Sequence, residues 1–541
     1  MQNYKVLISS AGLGSRLKKF SKNLNKALST IDRKPVISNI IDKIPEDVEI
    51  VITLGYKADT LKQFLDLAYP KRTITYVNVD LYQGEGSGLG YSILCAKDYL
   101  QCPFIFTPND TLFTETSIQT PDFNYVCFHK NDDTKINSYE VDNYRTISER
   151  NGELIELHDK AVNEQTDNIY TGLCGINDFE KFWDIMESGK LSGSIELGES
   201  FGIMKMLEEN IRFDAIQIDW WDTGNAESYI NAVKKFAKED HMNILSKDSE
   251  EIWFVGSRAI KYHEDPRFIS DRVNRIKYLD KYVPPVIAST TNMYTYEKIE
   301  GKTFTYNLKY DKFNKFLEWI KEFWDLDNFK TIPDAKTICD TAAKSFYYDK
   351  TYERFTLYLQ KFKVKDIPTN INGIEYPTMS ELLSKLDWND ICDTVPSRFH
   401  GDLHFENIIV SEINGSFGMI DWRQGFGDSD MYGDIYYDLG KLLHGFIISH
   451  EMVDKNLFEI NVSKNERDVD LSFYQKNVLK DFERIFEIFV EEELKLNFKK
   501  VRLMAGLIYV NVAALHHFPY CNLLYYLGKQ MVGDYITNKE K

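Results

Sequence analysis

The chain has 541 residues, too many for a single hydrophobic core, so two or three domains are expected. Its formal net charge of −18 argues against a nucleic-acid partner, which would need a basic face. No run of about 18 apolar residues and no secretory leader pattern are present, which argues against a membrane span and against secretion. The seven cysteines are scattered without a CxxC pair, so we expect reduced thiols, no structural zinc and a cytoplasmic location.

Short apolar runs alternate with helical patterns from residue 4 to about 235. These runs are YKVLIS, VEIVITL, ITYVNV, PFIFT, YVCFH and IYTGLCGI. Their alternation with helices predicts an α/β domain with a Rossmann-like, mostly parallel mixed sheet. A charged helical pattern at 226–245 ends within the segment HMNILSKDSEE, where we place a domain boundary. The predicted domains are residues 1–240 and 241–541.

A glycine-rich turn rich in positive charge follows the first predicted strand. The turn and the lysines after it are Gly12, Gly14, Ser15, Arg16, Lys18, Lys19, Lys22 and Lys26. Leu17 stands where a dinucleotide-binding loop would have its third glycine. Glycines let a backbone approach phosphates closely, and Arg and Lys neutralise their charge. We therefore expect this turn to hold the triphosphate of a nucleotide.

A second glycine-rich turn and two aspartates complete this pattern. The turn contains Gln83, Gly86 and Gly88, and its backbone could lie against a flat base while Gln83 reads a pyrimidine edge. Asp110 follows the strand PFIFT, and Asp222 ends another predicted strand. Since ligands of α/β sheets bind at the carboxyl ends of strands, the two carboxylates could hold one Mg²⁺ against a triphosphate.

This ordered set resembles the sugar-phosphate nucleotidyltransferases, which make NDP-sugars. The matching segments are GLGSR with Lys26, Asp110, WWDTG at 220–224, DKA at 159–161 and YTG at 170–172. The resemblance implies catalytic roles for Arg16 and Lys26 and substrate-phosphate contacts from Lys160 and Gly172. It also implies attack by a phosphate monoester on the α-phosphorus of an NTP, with release of pyrophosphate. Asn25 and Ala161 replace prolines of that family, but the neighbouring lysine charges are kept.

From residue 252 the pattern changes to a hairpin, a polar helix, strands near 285–299 and then aromatic helices. A further hairpin at 406–422 interrupts these helices, and Asn414-Gly415 predicts a type I′ turn within it. Counting outward from that turn returns Asp421 beside Asn407, with Asp402 five residues upstream of Asn407. The set suits phosphoryl transfer: Asp402 would accept the proton of a substrate hydroxyl while Asn407 and Asp421 hold Mg²⁺.

The HGDxxxxN segment at 400–407 and IDW at 420–422 resemble the aminoglycoside phosphotransferase and choline kinase family. The resemblance covers residues 250 to 541 and implies a bilobal, protein-kinase-like α+β domain. It also implies that Lys261 pairs with the α- and β-phosphates of ATP and that the backbones of Glu297 and Ile299 meet adenine. No glycine-rich loop precedes Lys261, and the following helix offers Asp271, or no acid, as its ion-pair partner.

Together these patterns predict a bifunctional enzyme with Mg²⁺ at both sites. It would phosphorylate a sugar or amino sugar with ATP and then transfer a nucleoside monophosphate from a second NTP, with CTP or UTP favoured. The product would be an activated precursor for capsule or cell-wall polysaccharide. A choline-type kinase joined to a cytidylyltransferase and an antibiotic-modifying fusion are the alternatives. The acceptor, the base, channelling of the intermediate and the oligomeric state stay open.

Overall fold

The computed structural model describes residues 4–17, 24–132, 134–162, 165–237 and 249–537. The chain forms two compact units. Of the described residues, the first unit comprises those of 4–237, 249–266 and 288–295, and the second comprises those of 267–287 and 296–537. The predicted boundary at 240/241 lies outside the described residues, as do Lys18, Lys19 and Lys22, so these stay predictions. Within the described ranges, no helix has both the length and the apolar character needed to cross a bilayer.

A nine-stranded mixed sheet forms the centre of the first unit. The strands of the α/β region are β1 Lys5–Ser10, β2 Thr30–Ile31, β3 Lys34–Pro35, β4 Glu49–Leu54, β5 Ile74–Asn78, β6 Phe104–Pro108, β7 Thr111–Phe113, β8 Tyr125–Lys130, β9 Thr146–Arg150, β10 Glu153–His158, β11 Asn168–Ile176, β12 Asp214–Gln217 and β13 Trp220–Asp222. The order in the large sheet is β5-β4-β1-β6-β11-β8-β12-β10-β9. Strands β5, β4, β1 and β6 run parallel, whereas β11 is antiparallel to both of its neighbours. The predicted mixed α/β fold is confirmed.

Helices pack on both faces of this sheet. They are α1 Val36–Ile41, α2 Ala58–Ala68, α3 Leu89–Cys95, α4 Phe179–Ser188, α5 Ser194–Leu197, α6 Glu199–Glu208 and α7 Ala226–Phe236. Val6 and Ile8 of β1 lie in one buried cluster, and Leu7 between them lies in another. Because side chains alternate along a strand, β1 is buried on both faces, as is typical of parallel strands covered by helices.

A second, four-stranded sheet begins after residue 249. Its strands are β14 Glu250–Val255, β15 Arg258–His263, β16 Val286–Ser289 and β17 Met293–Glu297, in the order β14-β15-β17-β16. The predicted hairpin is present, and it packs on helix α2. Trp253 is fully buried with its ring 5.2 Å from that of Phe64, and the Arg258 guanidinium donates to the Leu67 carbonyl at 3.0 Å. The hairpin therefore belongs to the core of the first unit, although its sequence pattern groups it with the C-terminal half.

Replacement of Trp253 by alanine is expected to lower the free energy of unfolding of the first unit by about 3–5 kcal/mol, because it leaves a large cavity against Phe64. Urea denaturation followed by circular dichroism measures this change. Trp253→Phe is the matched control: it keeps an aromatic ring and removes an indole N–H that has no hydrogen-bond partner among the described residues. Equal stability of the alanine variant and the natural chain would contradict this packing role.

The second unit is mainly helical. Its remaining strands, numbered onward, are β18 Gly301–Thr303, β19 Thr369–Ile371, β20 Ile374–Tyr376, β21 Pro396–Ser397, β22 Ile408–Ser411, β23 Phe417–Met419, β24 Gly433–Asp434, β25 Phe458–Val462 and β26 Asp468–Phe473. The helices are α8 Pro266–Leu279, α9 Tyr310–Trp324, α10 Leu326–Phe329, α11 Ala335–Ala343, α12 Lys350–Phe362, α13 Met379–Ser384, α14 Trp388–Ile391, α15 Ile435–Ile447, α16 His450–Asp454, α17 Asn477–Ile488, α18 Phe498–Ala513 and α19 Tyr520–Thr537. The core is built by α15, α18 and α19, whose residues are almost all buried.

The predictions from sequence did not include one sheet of this unit, and they gave one turn the wrong type. Strands β20, β19, β26 and β25 form a four-stranded sheet within the region predicted to be helical. Asn372 and Gly373 join β19 to β20 with φ of 48° and 85°, as a type I′ turn requires. Of the pair Asn414-Gly415, Gly415 alone has a positive φ, of 70°. The type I′ prediction there is wrong, because the Ser411–Ser416 hydrogen bond closes a longer, four-residue loop.

Candidate active sites

Two aspartates meet at the carboxyl end of the large sheet. Asp110 follows β6, and Asp222 ends β13, which pairs with β7 so that Asp222 lies opposite Thr111. A methyl group added at Gly224 would lie 2.8 Å from Asp110 Oδ2 and 3.1 Å from Asp222 Oδ1. The Thr223 N–H donates to the Asp110 carbonyl at 2.9 Å and fixes this turn. The structure thus brings together the two carboxylates that the sequence selected.

The charges of this carboxylate pair are only partly balanced. Burial raises the pKa of Asp110, but Lys26, whose Nζ is 2.8 Å from Oδ2, lowers it below its usual range. Burial and the neighbouring charge of Asp110 raise the pKa of Asp222. Tyr144 and Asn225 donate to Asp222 Oδ2 at 2.8 and 2.7 Å. Two converging carboxylates that repel one another offer the hard oxygen ligands that fit Mg²⁺.

Three cationic side chains besides Lys26 accompany the pair: Lys160, Arg145 and Arg16. Burial lowers the pKa of Lys160, and the positive charges of Arg145 and Arg16 lower it further. Arg145 Nε lies 3.2 Å from Asp159 Oδ1, which orients the guanidinium. Such a cluster can bind phosphate oxygens. Arg145 and Tyr144 were missed by sequence reasoning because neither lies in a recognisable motif.

The glycines of the two loops have different surroundings. Gly12 and Ser15 are exposed, Gly14 has a φ of 68°, and Gly86 has a φ of 82° in a loop where Gln83 is also exposed. A methyl group at Gly88 would lie 2.3 Å from the Ile195 carbonyl oxygen, so close packing of the two segments requires glycine there. Gly172 has a φ of 81°, and a methyl group added there would lie 3.0 Å from Pro108 Cγ. The nucleotide and phosphate contacts of these residues stay predictions.

Replacement of Gly224 by alanine is expected to push Asp110 and Asp222 apart, because the added carbon would stand about 3 Å from both carboxylates. Pyrophosphate release should fall at least about 10-fold and need more Mg²⁺ for half-maximal rate. A Mg²⁺ titration of pyrophosphate release measures this, with ADP formation as the internal control. An unchanged Mg²⁺ requirement would contradict a metal at this carboxylate pair.

In the second unit, Asp402 lies in a half-buried network of charged side chains on the segment before β22. Lys441 Nζ lies 2.8 Å from its Oδ1, and His404 Nε2 lies 3.6 Å from its Oδ2. Burial raises the pKa of Asp402, but Lys441 and His404 outweigh that effect and hold it well below its usual value. Burial lowers the pKa of His404, and Asp402 and Glu406 raise it to about 9. Asp402 is therefore an ionised carboxylate beside two cations.

The hairpin formed by β22 and β23 places Asn407 next to Asp421, as the residue count predicted. The Asn407 carbonyl accepts from the Ile420 N–H at 2.9 Å, one residue before Asp421. Asn407 Nδ2 donates to the Asp402 backbone carbonyl at 2.9 Å, so its amide oxygen is the atom that could bind a cation. Asp421 Oδ1 lies 3.0 Å from Arg272 Nη1. One amide oxygen and one carboxylate fit Mg²⁺.

Two buried aspartates of α15 and its start hold the backbone around this loop. Asp438 accepts from the N–H groups of His400 and Gly401 at 2.9 and 2.7 Å. Asp434 accepts from the Val395 N–H at 3.0 Å and caps α15. Both side chains are fully buried, so they support the loop rather than reach a substrate.

Lys261 on β15 forms a buried ion pair with Glu250 on the neighbouring strand β14, at 3.0 Å. The expectation that Asp271 or no acid would pair with Lys261 is wrong. The reason is cross-strand geometry: Glu250 lies diagonally opposite Lys261 in the hairpin, whereas Asp271 is exposed on α8. Glu297 is exposed and Ile299 is half-buried, and their proposed contacts with adenine stay predictions.

Comparisons with known proteins agree with this two-part organisation. Residues 326–462 match APH, the Phosphotransferase enzyme family. The bifunctional protein GlmU of Methanocaldococcus jannaschii is 25% identical over 259 residues, which are 47% of this chain and 60% of GlmU. The UTP–glucose-1-phosphate uridylyltransferase AglF of Haloferax volcanii is 23% identical over 247 residues, 43% of this chain and 97% of AglF. Both resemblances are confirmed.

The N-terminal half is also similar to solved structures. One of them is the CTP:phosphocholine cytidylyltransferase of Streptococcus pneumoniae, at 16% identity and a TM-score of 0.35, and the match covers 43% of this chain and 99% of that protein. The chain spans about 60% of the length of the GlmU relatives that it matches. A nucleotidyltransferase-like half and a phosphotransferase-family region therefore occur in one chain, the two transferase classes predicted from sequence.

Proposed function

We propose that the chain is a bifunctional enzyme that phosphorylates a small hydroxyl compound with ATP and then joins the product to a nucleoside monophosphate. The observation that supports this most is the presence of two separate acidic centres in one chain. One consists of Asp110 and Asp222 at Gly224, and the other of Asp402 with Asn407 and Asp421.

In the kinase reaction, Asp402 accepts the proton of the acceptor hydroxyl. The oxygen of that hydroxyl attacks the γ-phosphorus of ATP, and ADP leaves. The ionised state of Asp402 beside Lys441 supports this role. Asn407 and Asp421 would hold Mg²⁺, which neutralises charge on the ATP phosphates. Lys261 would pair with the α- and β-phosphates, and the backbones of Glu297 and Ile299 would bind adenine.

In the nucleotidyl transfer, a phosphate oxygen of the phosphorylated acceptor attacks the α-phosphorus of an NTP, and pyrophosphate leaves. Arg16 and Lys26, with Gly12, Gly14 and Ser15, would neutralise and position the triphosphate. Asp110 and Asp222 would hold Mg²⁺ against it. The phosphate of the acceptor would be bound by Lys160 and Arg145. Gly172, in the YTG segment that follows Lys160 in the chain, would also contact it. The base would lie on the loop of Gln83, Gly86 and Gly88.

A sugar is the proposed acceptor class, and UTP or CTP the proposed nucleotide. The similarity to AglF, a uridylyltransferase for glucose 1-phosphate, supports the sugar class and UTP. The product would be an activated sugar for capsule or cell-wall polysaccharide. A cytoplasmic location accords with the seven cysteines, which are all free thiols.

A substrate panel tests this proposal. The enzyme is incubated with ATP, Mg²⁺ and single members of a set of free sugars, amino sugars, sugar acids, amino alcohols and aminoglycosides, and ADP is measured. CTP, UTP, GTP or dTTP is then added and pyrophosphate is measured. We expect ADP with sugar-type members and pyrophosphate after the matching NTP. ADP with aminoglycosides alone, or with choline alone, would overturn the sugar assignment.

A further inference from the structure

Cationic side chains from three separate segments gather around Tyr437, next to Asp402. Arg423 Nη1 donates to the Tyr437 hydroxyl at 3.2 Å. Lys350 Nζ lies 5.8 Å from the centre of the Tyr437 ring, and Lys441 Nζ contacts Asp402 at 2.8 Å. We call Lys350, Arg423 and Lys441 the cationic cluster. None of them belongs to a motif that the sequence singled out.

The cationic cluster lies against the segment that carries Asp402. The Cβ and Cδ atoms of Arg423 would lie 2.8 Å from a methyl group at Gly401, the residue before Asp402. Phe346 supports the other end, because Lys350 Nζ and the Arg423 guanidinium carbon lie 4.4 and 5.0 Å from its ring centre. The two cations are thus held on one aromatic side chain, and Arg423 packs beside the residue that precedes the proposed base.

The cationic cluster carries more positive charge than the carboxylates paired with it neutralise. Across the described part of the chain, neither Lys350 nor Arg423 has a carboxylate within ion-pair distance, and neither does the adjacent Arg354, although the whole chain carries a net charge of −18. Burial and the charges of Arg423, Lys441 and Arg354 lower the pKa of Lys350 to about 8. Lys350, Arg423 and Lys441 together lower the pKa of Tyr437 although burial raises it. A bound anion would relieve this repulsion.

We infer that the cationic cluster binds an anionic group of the kinase acceptor, so that the acceptor is a hydroxy acid or a phosphorylated hydroxyl compound of the sugar or polyol class. This inference rests on the proposed kinase function. A group of cations beside the base, of which Lys441 is buried and Lys350 and Arg423 are half-buried, would exclude choline, other amino alcohols and aminoglycosides, because their positive charge would meet Lys350 and Arg423. The same cluster would select an acid over its neutral parent sugar.

Matched acceptors test the inference. ADP formation is compared for glucose, gluconate and glucose 6-phosphate, and for glycerol, glycerate and glycerol phosphate, with choline as the cationic member. We expect kcat/KM for a carboxylate or a phosphate member to exceed that of its neutral parent by about 10- to 100-fold, the range for a charge-assisted hydrogen bond. The anionic acceptor with the higher kcat/KM, carboxylate or phosphate, identifies the group that the cationic cluster binds. Preference for a neutral or cationic member would overturn the inference.

Lys350→Met tests the residue itself. It keeps the apolar part of the side chain, and we expect it to raise KM for the anionic acceptor about 10-fold or more and to remove its advantage over the neutral parent, with KM for ATP unchanged. Lys344→Met, at an exposed lysine six residues earlier, is the matched control. A rise in KM for ATP alone would show that the cluster binds the nucleotide and would overturn the inference.

A binding measurement separates this inference from the proposed function. Equilibrium binding of gluconate, glucose 6-phosphate and glucose is measured for the natural chain and for Lys350→Met without ATP. Tighter binding of an anionic member that is lost in the variant supports the anionic site even if no panel member yields ADP, in which case the kinase proposal alone fails. Equal binding of glucose and of both anionic compounds overturns the site.

Discussion

Replacement of Asp402 by alanine is expected to lower kcat for ADP formation by about 10²- to 10⁴-fold, the range for loss of a general base. Pyrophosphate release from a supplied phosphorylated acceptor should stay unchanged. The physical reason is that Lys441 and His404 keep Asp402 ionised at neutral pH, ready to accept a proton. The measurement is a steady-state assay of ADP and of pyrophosphate on the same preparation.

Two further variants make this result specific. Asp402→Asn keeps the shape and can still accept a hydrogen bond from Lys441 but is a poor base, so we expect it to lose activity as the alanine variant does. Asp428→Ala, at an exposed aspartate of the same unit, should leave both activities unchanged. A fully active Asp402→Asn enzyme would show that Asp402 is not the base.

Replacement of Asp110 by alanine is expected to have the opposite effect. Pyrophosphate release should fall by at least about 10³-fold, or ~4 kcal/mol, because one of two converging oxygen ligands is lost and Lys26 loses its ion-pair partner. ADP formation should be unchanged. Initial rates measured over a range of Mg²⁺ concentrations check both parts of this result.

The exposed Asp98, twelve residues earlier, provides the matched control as Asp98→Ala. Asp110→Asn is also informative, since it keeps the volume but removes the charge that repels Asp222, and its Mg²⁺ requirement should rise. If Asp110→Ala abolished ADP formation as well, the two activities would not reside in independent centres.

Much of both candidate sites could be predicted from sequence because their residues are close in the chain or lie at strand ends. Counting residues outward from the predicted turn placed Asp421 beside Asn407, and the Asn407–Ile420 hydrogen bond confirms that pairing. The predicted pairing of these residues was correct although the predicted turn type was wrong. A longer loop changes the tip of a hairpin and not its open end. Asp110 and Asp222 could be predicted together because the first follows an apolar strand and the second ends one.

The residues that could not be predicted come from distant segments. Lys441 reaches Asp402 from a helix 39 positions away, and Lys350 reaches Tyr437 from another helix. Such contacts depend on how helices pack, which the spacing of residues in the chain does not contain. The sheet of β19, β20, β25 and β26 was missed for a similar reason, although Asn372-Gly373 was a usable local signal.

The packing of Trp253 on Phe64 has a consequence for any attempt to exchange or isolate the two halves. A chain starting at residue 249 would expose an indole that is now fully buried, and one ending at 237 would uncover the α2 surface beneath it. Either piece would expose a new apolar surface and would tend to self-associate. A cut between residues 237 and 249 would therefore not divide the chain into two independent parts, because the strand pair that carries Lys261 buries its indole on helix α2.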